Sequence, residues 1–196
     1  MRLFCINMKE ATDRRQYCES HFAARGLDVT FVEGFPARKC SIRHVAKKFS
    51  LGMVGCYITH ERLIEEIARN DHGMTVIMED DVQLAEGFAD FIKDFQAPCE
   101  WDIAFIGWYN GNDQPTEPID DTWERLIDGQ GFAWGLHCYI VNGRKGAENI
   151  LSILHPMWLQ IDVQITSAIK HGKLQGLMLR RPLAHQGGFK TQVQGV

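Results

Sequence analysis

The sequence predicts an α/β fold: a single domain over residues 1–196 in which helices flank a mainly parallel central sheet. Short apolar runs of strand length alternate along the chain with segments whose apolar residues have helical spacing. The first strand, helix and strand fit within roughly thirty residues, the span of a right-handed parallel crossover. No internal repeat or change in composition divides the chain, and its length suits one domain.

The first of these units lies at the N-terminus. Residues 2–6 form an apolar run without helical spacing, which predicts a buried strand. Apolar residues then recur at helical intervals over residues 12–25, and Gly26 stands where a helix end favours a positive φ. Residues 29–32 predict a second strand. Because a helix connects the two strands, we expect them to be parallel.

A long helix and a buried strand follow. Apolar residues recur every three to four positions over residues 53–70, which predicts an amphipathic helix ended by Gly73. Residues 75–78 are an uninterrupted apolar run, typical of a central strand covered on both faces. An acidic turn, residues 79–81, comes directly after it. Ligands of open α/β sheets bind at the carboxyl ends of the strands, so we expect the functional site at this turn.

The rest of the chain continues the alternation. In order, we predict a helix at 86–95, strands at 101–108, 123–127 and 137–141, helices at 144–154 and 162–171, and a strand at 174–179. Residues 109–122 are rich in Asn, Gly, Asp and Pro, and we interpret them as either a lid over the site or a plain surface loop. Residues 186–196 are expected to form a flexible tail.

Composition excludes several classes of function. The net charge of -4, with both signs mixed along the chain, provides no basic stripe for a nucleic-acid backbone. The six cysteines include no C-x-x-C pair, which disfavours a zinc knuckle or a thioredoxin-like site and is typical of reduced, cytoplasmic thiols. The apolar N-terminal run is too short for a signal peptide, and no run could span a bilayer, so any membrane contact should be peripheral.

The acidic turn has the residue types of a metal site. Three acids after a buried strand would repel one another in a desolvated position unless a cation lay among them. A hard divalent ion, Mn²⁺ or Mg²⁺, suits such oxygen ligands. If the strand pleat continues, Glu79 and Asp81 project to one side as ligands and Asp80 projects to the other. The alternative is an acidic turn that caps the next helix.

Several sequence blocks resemble glycosyltransferase family 25, the lipooligosaccharide-type glycosyltransferases, a family that includes the collagen galactosyltransferases. The blocks are, in order, Ile6-Asn7-Met8 with Arg14-Arg15, then Phe31-Val32-Glu33-Gly34, then GMVGCYITH at 52–60, then IMEDD at 77–81. The similarity continues through Trp101-Asp102, residues 135–151 and Asp162. The G-x-x-G-C-x-x-[ST]-H and E-D-D blocks are its most specific parts.

The resemblance implies a GT-A-like (Rossmann-like) fold and a metal-dependent transferase of glycan or lipooligosaccharide biosynthesis. Its donor would be a UDP-sugar, of galactose or glucose, and its acceptor a hydroxyl of a carbohydrate, glycolipid or glycoprotein, usually with inversion. The implied metal is Mn²⁺ or Mg²⁺. The implied roles are donor binding for Asn7 and Arg14 or Arg15, ribose or backbone contact for Asp80, metal ligation for Glu79 and Asp81, the catalytic base for Asp162, and a third metal ligand for His185.

Some of these residues also have plainer interpretations. Asp162 opens a predicted helix, so it is equally well placed to be an N-cap. A lone histidine such as His185 is more often a surface residue than a ligand. His60, in the helix before the acidic turn, is interpreted as either structural or in contact with the donor. Trp134, in a glycine-rich stretch, is predicted to stack on the donor sugar.

Two other functions compete with the transferase. A metal-dependent phosphohydrolase or nuclease could use the same acidic turn, but it would need further carboxylates or histidines near the metal. A catalytically inactive sugar-nucleotide or glycan-binding module would keep the fold without turnover. The presence of both Asp81 and Asp162 favours the transferase over the inactive module.

Overall fold

The computed structural model of this chain describes residues 1–40, 48–110, 116–127 and 133–189. Its strands are β1 Arg2–Asn7, β2 Thr30–Glu33, β3 Thr75–Glu79, β4 Val82–Leu84, β5 Ile103–Asn110, β6 Thr116–Pro118, β7 Trp123–Leu126, β8 Ala133–Val141, β9 Gly176–Leu179 and β10 Ala184–Gln186. Its α-helices are α1 Thr12–Ala23, α2 Leu51–Asn70, α3 Phe88–Lys93, α4 Gly143–Leu154 and α5 Ile161–Lys170, with a 3₁₀ turn at Ala37–Lys39.

Eight strands form one sheet in the order β2-β1-β3-β8-β5-β9-β7-β6. β1 is parallel to β2 and β3, and β5 is parallel to β9. β8 is antiparallel to both of its neighbours, as is β7. Six of the eight strands therefore run in one direction, with β7 and β8 opposed to them. The predicted α/β fold with a mainly parallel sheet is confirmed, and β8 inserts an antiparallel strand at its centre.

Helices cover both faces of this sheet. α2, α4 and α5 pack on one face in a single apolar cluster, and α1 and α3 pack on the other. β3 runs between them, so Val76, Ile77 and Met78 are fully buried, as their uninterrupted apolar run predicts. Among the described residues, no helix combines the length and the apolar character that a membrane crossing requires.

The long helix α2 has defined caps at both ends. The Ser50 side chain accepts a hydrogen bond from the Met53 backbone N–H, so the helix begins at Leu51, before the residue at which the apolar pattern begins. At the other end Asp71 adopts a left-handed conformation with φ of 50°, so it stops the helix before Gly73. The helix ends at Asn70, as predicted, but Asp71 rather than Gly73 terminates it.

A two-stranded sheet, β4 with β10, was not predicted. Its antiparallel pairing brings the chain after β9 back to the acidic turn, where the Gly187 N–H donates to the Asp81 carbonyl. Gln186, the first residue of the predicted tail, thus lies in a strand, while residues 190–196 lie outside the described residues. Of the predicted lid at 109–122, residues 109–110 belong to β5 and residues 116–118 form β6, while residues 111–115 also lie outside the described residues. The lid stays a prediction.

Candidate active site

A cleft with a volume of about 610 Å³ opens at the carboxyl ends of β1 and β3. The acidic turn forms one wall, and the first three turns of α2 with the 3₁₀ turn at Ala37–Lys39 form another. Gly55 allows α2 to approach closely, because a Cβ at this position would lie 2.8 Å from the Phe35 carbonyl oxygen. The cleft is therefore where the β3 strand end and the G-x-x-G-C-x-x-[ST]-H helix meet.

Asp80 ties the acidic turn to the first βα unit. The Asn7 side-chain amide donates to Asp80 Oδ2 at 2.8 Å, and the Arg14 guanidinium pairs with Asp80 Oδ1 at 2.6 Å. The Cys18 thiol donates to the Asp80 carbonyl at 3.3 Å. Both Asp80 carboxylate oxygens thus have protein partners, so this side chain orients the turn.

The two adjacent arginines of α1 have different environments. Arg14 is buried and lines the cleft. Arg15 lies on the exposed side of the helix, where its Nε pairs with Glu19 at 2.6 Å and its guanidinium stacks over the Phe31 ring. Of the two, only Arg14 is placed to act in the cleft.

Asp81 presents one oxygen without a protein partner. The Gln186 amide donates to its Oδ2 at 2.9 Å, while its buried Oδ1 has no hydrogen-bond partner among the described residues. Burial, and then the Glu79 charge, raise the pKa of Asp81 to about 6, against the lowering effect of the Gln186 hydrogen bond and the Arg14 charge. A buried oxygen of this kind, beside a second carboxylate, fits a divalent cation.

Glu79 faces α2. Its Oε1 lies 3.1 Å from His60 Nε2 and 3.9 Å from the Cys56 thiol. His60 is fully buried, and its Nδ1 lies 2.9 Å from the Tyr139 hydroxyl. Burial raises the pKa of Glu79, but the hydrogen bond and charge of His60 outweigh this effect and leave it lowered. His60 therefore holds Glu79 in its charged form at the cleft.

Asp162 lies in the first turn of α5. Its Oδ2 accepts a hydrogen bond from the Gly135 backbone N–H at 3.0 Å, and its Oδ1 accepts one from Val163 at 2.9 Å. Burial raises its pKa, the two backbone N–H groups lower it, and the Glu79 charge raises it further. The N-cap of α5 is Gln160, so the interpretation of Asp162 as an N-cap is wrong.

The remaining predicted site residues are His185 and Trp134. His185 pairs with Gln83 in the β4–β10 sheet, and alternate side chains of a strand face opposite sides, so Gln186 rather than His185 contacts Asp81. The Trp134 backbone lies opposite Tyr109 at the start of β8, and its side chain is outside the described part of the chain.

Sequence reasoning missed three contributors to the site: Gln186, Cys56 and Tyr139. The spacing of Cys56 and His60, one helical turn apart, was a local signal that both face the same way. Gln186 and Tyr139 had no comparable signal, because each reaches the site through a distant strand pairing.

The sequence model described as glycosyltransferase family 25 (LPS biosynthesis protein) matches residues 1–127, which include the acidic turn. The chain belongs to glycosyltransferase family 25. The resemblance predicted from the sequence blocks is thereby confirmed. Asp162 and His185 lie beyond the matched segment of this family 25 chain.

Two known proteins are similar in sequence to this family 25 chain. A glycosyltransferase 25 family member from Anopheles gambiae is 21% identical over 169 residues, which cover 76% of this chain and 28% of that protein. Procollagen galactosyltransferase 1-A from Xenopus laevis is 21% identical over 172 residues, with the same coverage of 76% and 28%. This chain therefore spans little more than a quarter of the length of either relative.

A solved structure shares the fold of the family 25 chain. The glycosyltransferase involved in the glycosylation of the major capsid of PBCV-1 superposes with a TM-score of 0.51 and 8% identity, over 99% of this chain and 96% of that one. At this identity the likeness establishes the fold, and it agrees with the GT-A-like architecture predicted above.

Proposed function

We propose that this chain transfers galactose or glucose from a UDP-sugar to a hydroxyl of a carbohydrate, glycolipid or glycoprotein, with inversion, as a Mn²⁺- or Mg²⁺-dependent glycosyltransferase. The observation that carries the proposal is the buried Oδ1 of Asp81, which lies beside Glu79 in the cleft and has no partner within the described part of the chain. Family membership supports the reaction class, and the LPS and galactosyltransferase names of the family and its relatives support a sugar donor and a glycan acceptor.

Glu79 and Asp81 are the residues that would hold the metal. When bound, a divalent ion stabilises the negative charge that develops on a diphosphate leaving group. The chain orients these two ligands from different elements, because His60 of α2 fixes Glu79 and Gln186 of β10 fixes Asp81. Asp80 has both oxygens occupied, so its task is to keep the turn in place.

Asp162 is proposed as the base that accepts the proton of the acceptor hydroxyl. Burial keeps its pKa above that of an exposed aspartate, which makes it a better proton acceptor. Two backbone N–H groups orient it, and a carboxylate that accepts two hydrogen bonds keeps further lone pairs for the substrate. Donor contact by Asn7, Arg14, His60 and Trp134 and a ligand role for His185 belong to the same proposal.

The first experiment measures thermal midpoints with UDP, with and without Mn²⁺, for the natural chain and for Asp81→Ala. A ligand that binds only the folded state raises the midpoint by mass action. We expect a UDP shift that requires Mn²⁺ and disappears in Asp81→Ala, while the exposed-site control Asp28→Ala keeps it.

Turnover then separates the transferase from its competitors. We expect Mn²⁺-dependent release of UDP from UDP-galactose or UDP-glucose in the presence of an acceptor. Release of inorganic phosphate would indicate a phosphohydrolase instead. A Mn²⁺-dependent UDP shift without turnover of any UDP-sugar would indicate a binding module.

A further inference from the structure

We propose that the cleft contains a second cation site of different chemistry, formed by Cys56, His60 and Glu79, and that this site binds Zn²⁺. One ligand atom from each of the three residues lies within 4.8 Å of the others. Thiolate, imidazole and carboxylate together are a ligand set that zinc favours, whereas Mg²⁺ and Mn²⁺ favour oxygen. The site is thus distinct in chemistry from the oxygen pair of Glu79 and Asp81.

Two elements bring the ligands together. α2 carries Cys56 and His60 one turn apart on the same face, and β3 ends at Glu79. Glu79 Oε1 lies 3.1 Å from His60 Nε2 and 3.9 Å from Cys56 Sγ. Ligand atoms of a tetrahedral zinc site lie roughly 3.4–3.6 Å apart, as follows from the usual metal–ligand bond lengths. Small side-chain shifts would therefore complete the geometry.

Tyr139 prepares His60 for this role. Its fully buried hydroxyl lies 2.9 Å from His60 Nδ1, and a tyrosine hydroxyl can either donate or accept a hydrogen bond. When it accepts from Nδ1–H, the lone pair of Nε2 points toward Glu79, which is how a metal-binding histidine is usually oriented. Three protein ligands leave a fourth position for water or substrate, and Cys56, His60 and Glu79 all line the open cleft.

Zinc binding has a defined proton balance. The Cys56 thiol loses its proton to solvent as the sulfur–zinc bond forms. His60 binds zinc through Nε2 as a neutral ring, so a proton held at Nε2 is displaced when the nitrogen–zinc bond forms. The net result is the release of at least one proton, that of the Cys56 thiol, for each Zn²⁺ bound.

Glu79 belongs to both ligand sets. Full occupation of the zinc site would withdraw Glu79 from Asp81, so Zn²⁺ should compete with Mn²⁺ and inhibit transfer. This consequence rests on the proposed function, whereas zinc binding itself does not.

The test titrates the metal-free protein with Zn²⁺ by calorimetry and with Co²⁺ by absorption, since a cobalt–thiolate bond gives a charge-transfer band. The variants are Cys56→Ser, the exposed-thiol control Cys40→Ser and the oxygen-site control Asp81→Asn. We expect one Zn²⁺ per chain with release of at least one proton, and affinity weakened at least about tenfold in Cys56→Ser. Both controls should bind as the natural chain does and show the same cobalt band.

Cys56→Ser is the decisive variant, because replacing His60 by Gln would also remove the hydrogen bond to Tyr139. Circular dichroism checks that Cys56→Ser is folded. Equal zinc affinity in Cys56→Ser and the natural chain, or a Co²⁺ spectrum without a thiolate band, would overturn the site. If zinc binds as expected but UDP and Mn²⁺ do not, the proposed function fails and the zinc site stands. If UDP and Mn²⁺ bind but zinc does not, the reverse holds.

Discussion

The side-chain amide of Gln186 donates a 2.9 Å hydrogen bond to Asp81 Oδ2, joining residues 105 positions apart. The contact depends on β10, which pairs with β4 immediately after the acidic turn. Because Gln186 occupies only Oδ2, it fixes the carboxylate and leaves Oδ1 without a hydrogen-bond partner among the described residues. The return of the chain after β9 is therefore part of the site.

Replacement of Gln186 by alanine should weaken Mn²⁺-dependent UDP binding about tenfold, because a metal ligand that loses its orienting hydrogen bond binds less well. Calorimetric titration of UDP in the presence of Mn²⁺ measures the effect. The matched control is Gln83→Ala in the paired strand β4, an exposed glutamine whose loss should change binding little. His185→Ala tests the proposed third ligand separately: a loss of binding would support it, and unchanged binding would remove His185 from the metal site.

The buried pair of Arg14 and Asp80 should matter more for stability than the exposed pair beside it. We expect Arg14→Met to lower the free energy of unfolding by about 3–5 kcal/mol, since Asp80 is left buried without its cation. The neighbouring Arg15→Met removes an exposed pair with Glu19 and the stacking of the guanidinium on Phe31, and it should cost about 1–2 kcal/mol. Urea denaturation compares the two, and equal losses would show that the Asp80 pair is not the stabilising contact.

Local patterns account for the elements that were predicted correctly. β1, α1, β2 and β3 each have an apolar spacing or run that is complete within a few residues, and the acidic turn is contiguous with β3. Such local signals do not specify which strands pair with one another. The antiparallel direction of β8 and the pairing of β4 with β10 depend on contacts far along the chain, so the sequence patterns did not predict them.

The same limit applies to the site. The acids themselves were predicted, but their individual roles depend on neighbours that come from four other elements. Asp80 differs from Asp81 because Asn7 and Arg14 occupy both of its oxygens, while Asp81 shares only one oxygen with Gln186. No periodicity within residues 79–81 distinguishes the two acids.

Asp102 has a structural role that its position in the family resemblance did not reveal. It precedes β5, whose direction places it at the edge of the sheet opposite to the acidic turn. Its oxygens accept from the Asn149 amide at 2.7 Å and from the Gln175 N–H at 2.8 Å. Asp102→Ala should lower the free energy of unfolding by about 2–3 kcal/mol, because buried donors lose a charged acceptor. UDP binding by the folded fraction should be unchanged. A loss of UDP binding under conditions where the variant is fully folded would contradict this assignment.

Asp162→Asn should separate chemistry from binding. If Asp162 accepts the acceptor proton, the amide lowers the rate of transfer by about 10²–10⁴, whereas Mn²⁺-dependent UDP affinity stays the same. The amide oxygen can still accept the Gly135 N–H hydrogen bond, so the fold should be retained. Steady-state transfer rates and UDP titrations on the same preparation measure both quantities. Unchanged transfer would remove Asp162 from the mechanism.

The charge of Asp81 should destabilise the metal-free protein at neutral pH. Its pKa is raised from 3.8 to about 6 in the folded chain, so the folded state holds a proton that the unfolded state releases between these values. The free energy of unfolding contributed by this group is therefore fully present below about pH 4 and is lost as the pH rises through about 6. Asp81→Asn carries no such charge and can still accept from Gln186.

We expect Asp81→Asn, in the presence of a chelator, to be more stable than the natural chain near pH 7.5 by on the order of 1–3 kcal/mol. The difference should disappear near pH 4, where both side chains are neutral. Urea denaturation across this range, with the variant subtracted from the natural chain, isolates Asp81 from other titrating groups. Mn²⁺ with UDP should restore the stability of the natural chain but not raise that of the variant, because the variant lacks the charged ligand. A variant that is less stable than the natural chain near neutral pH would show that Asp81 has a compensating cation already within the protein.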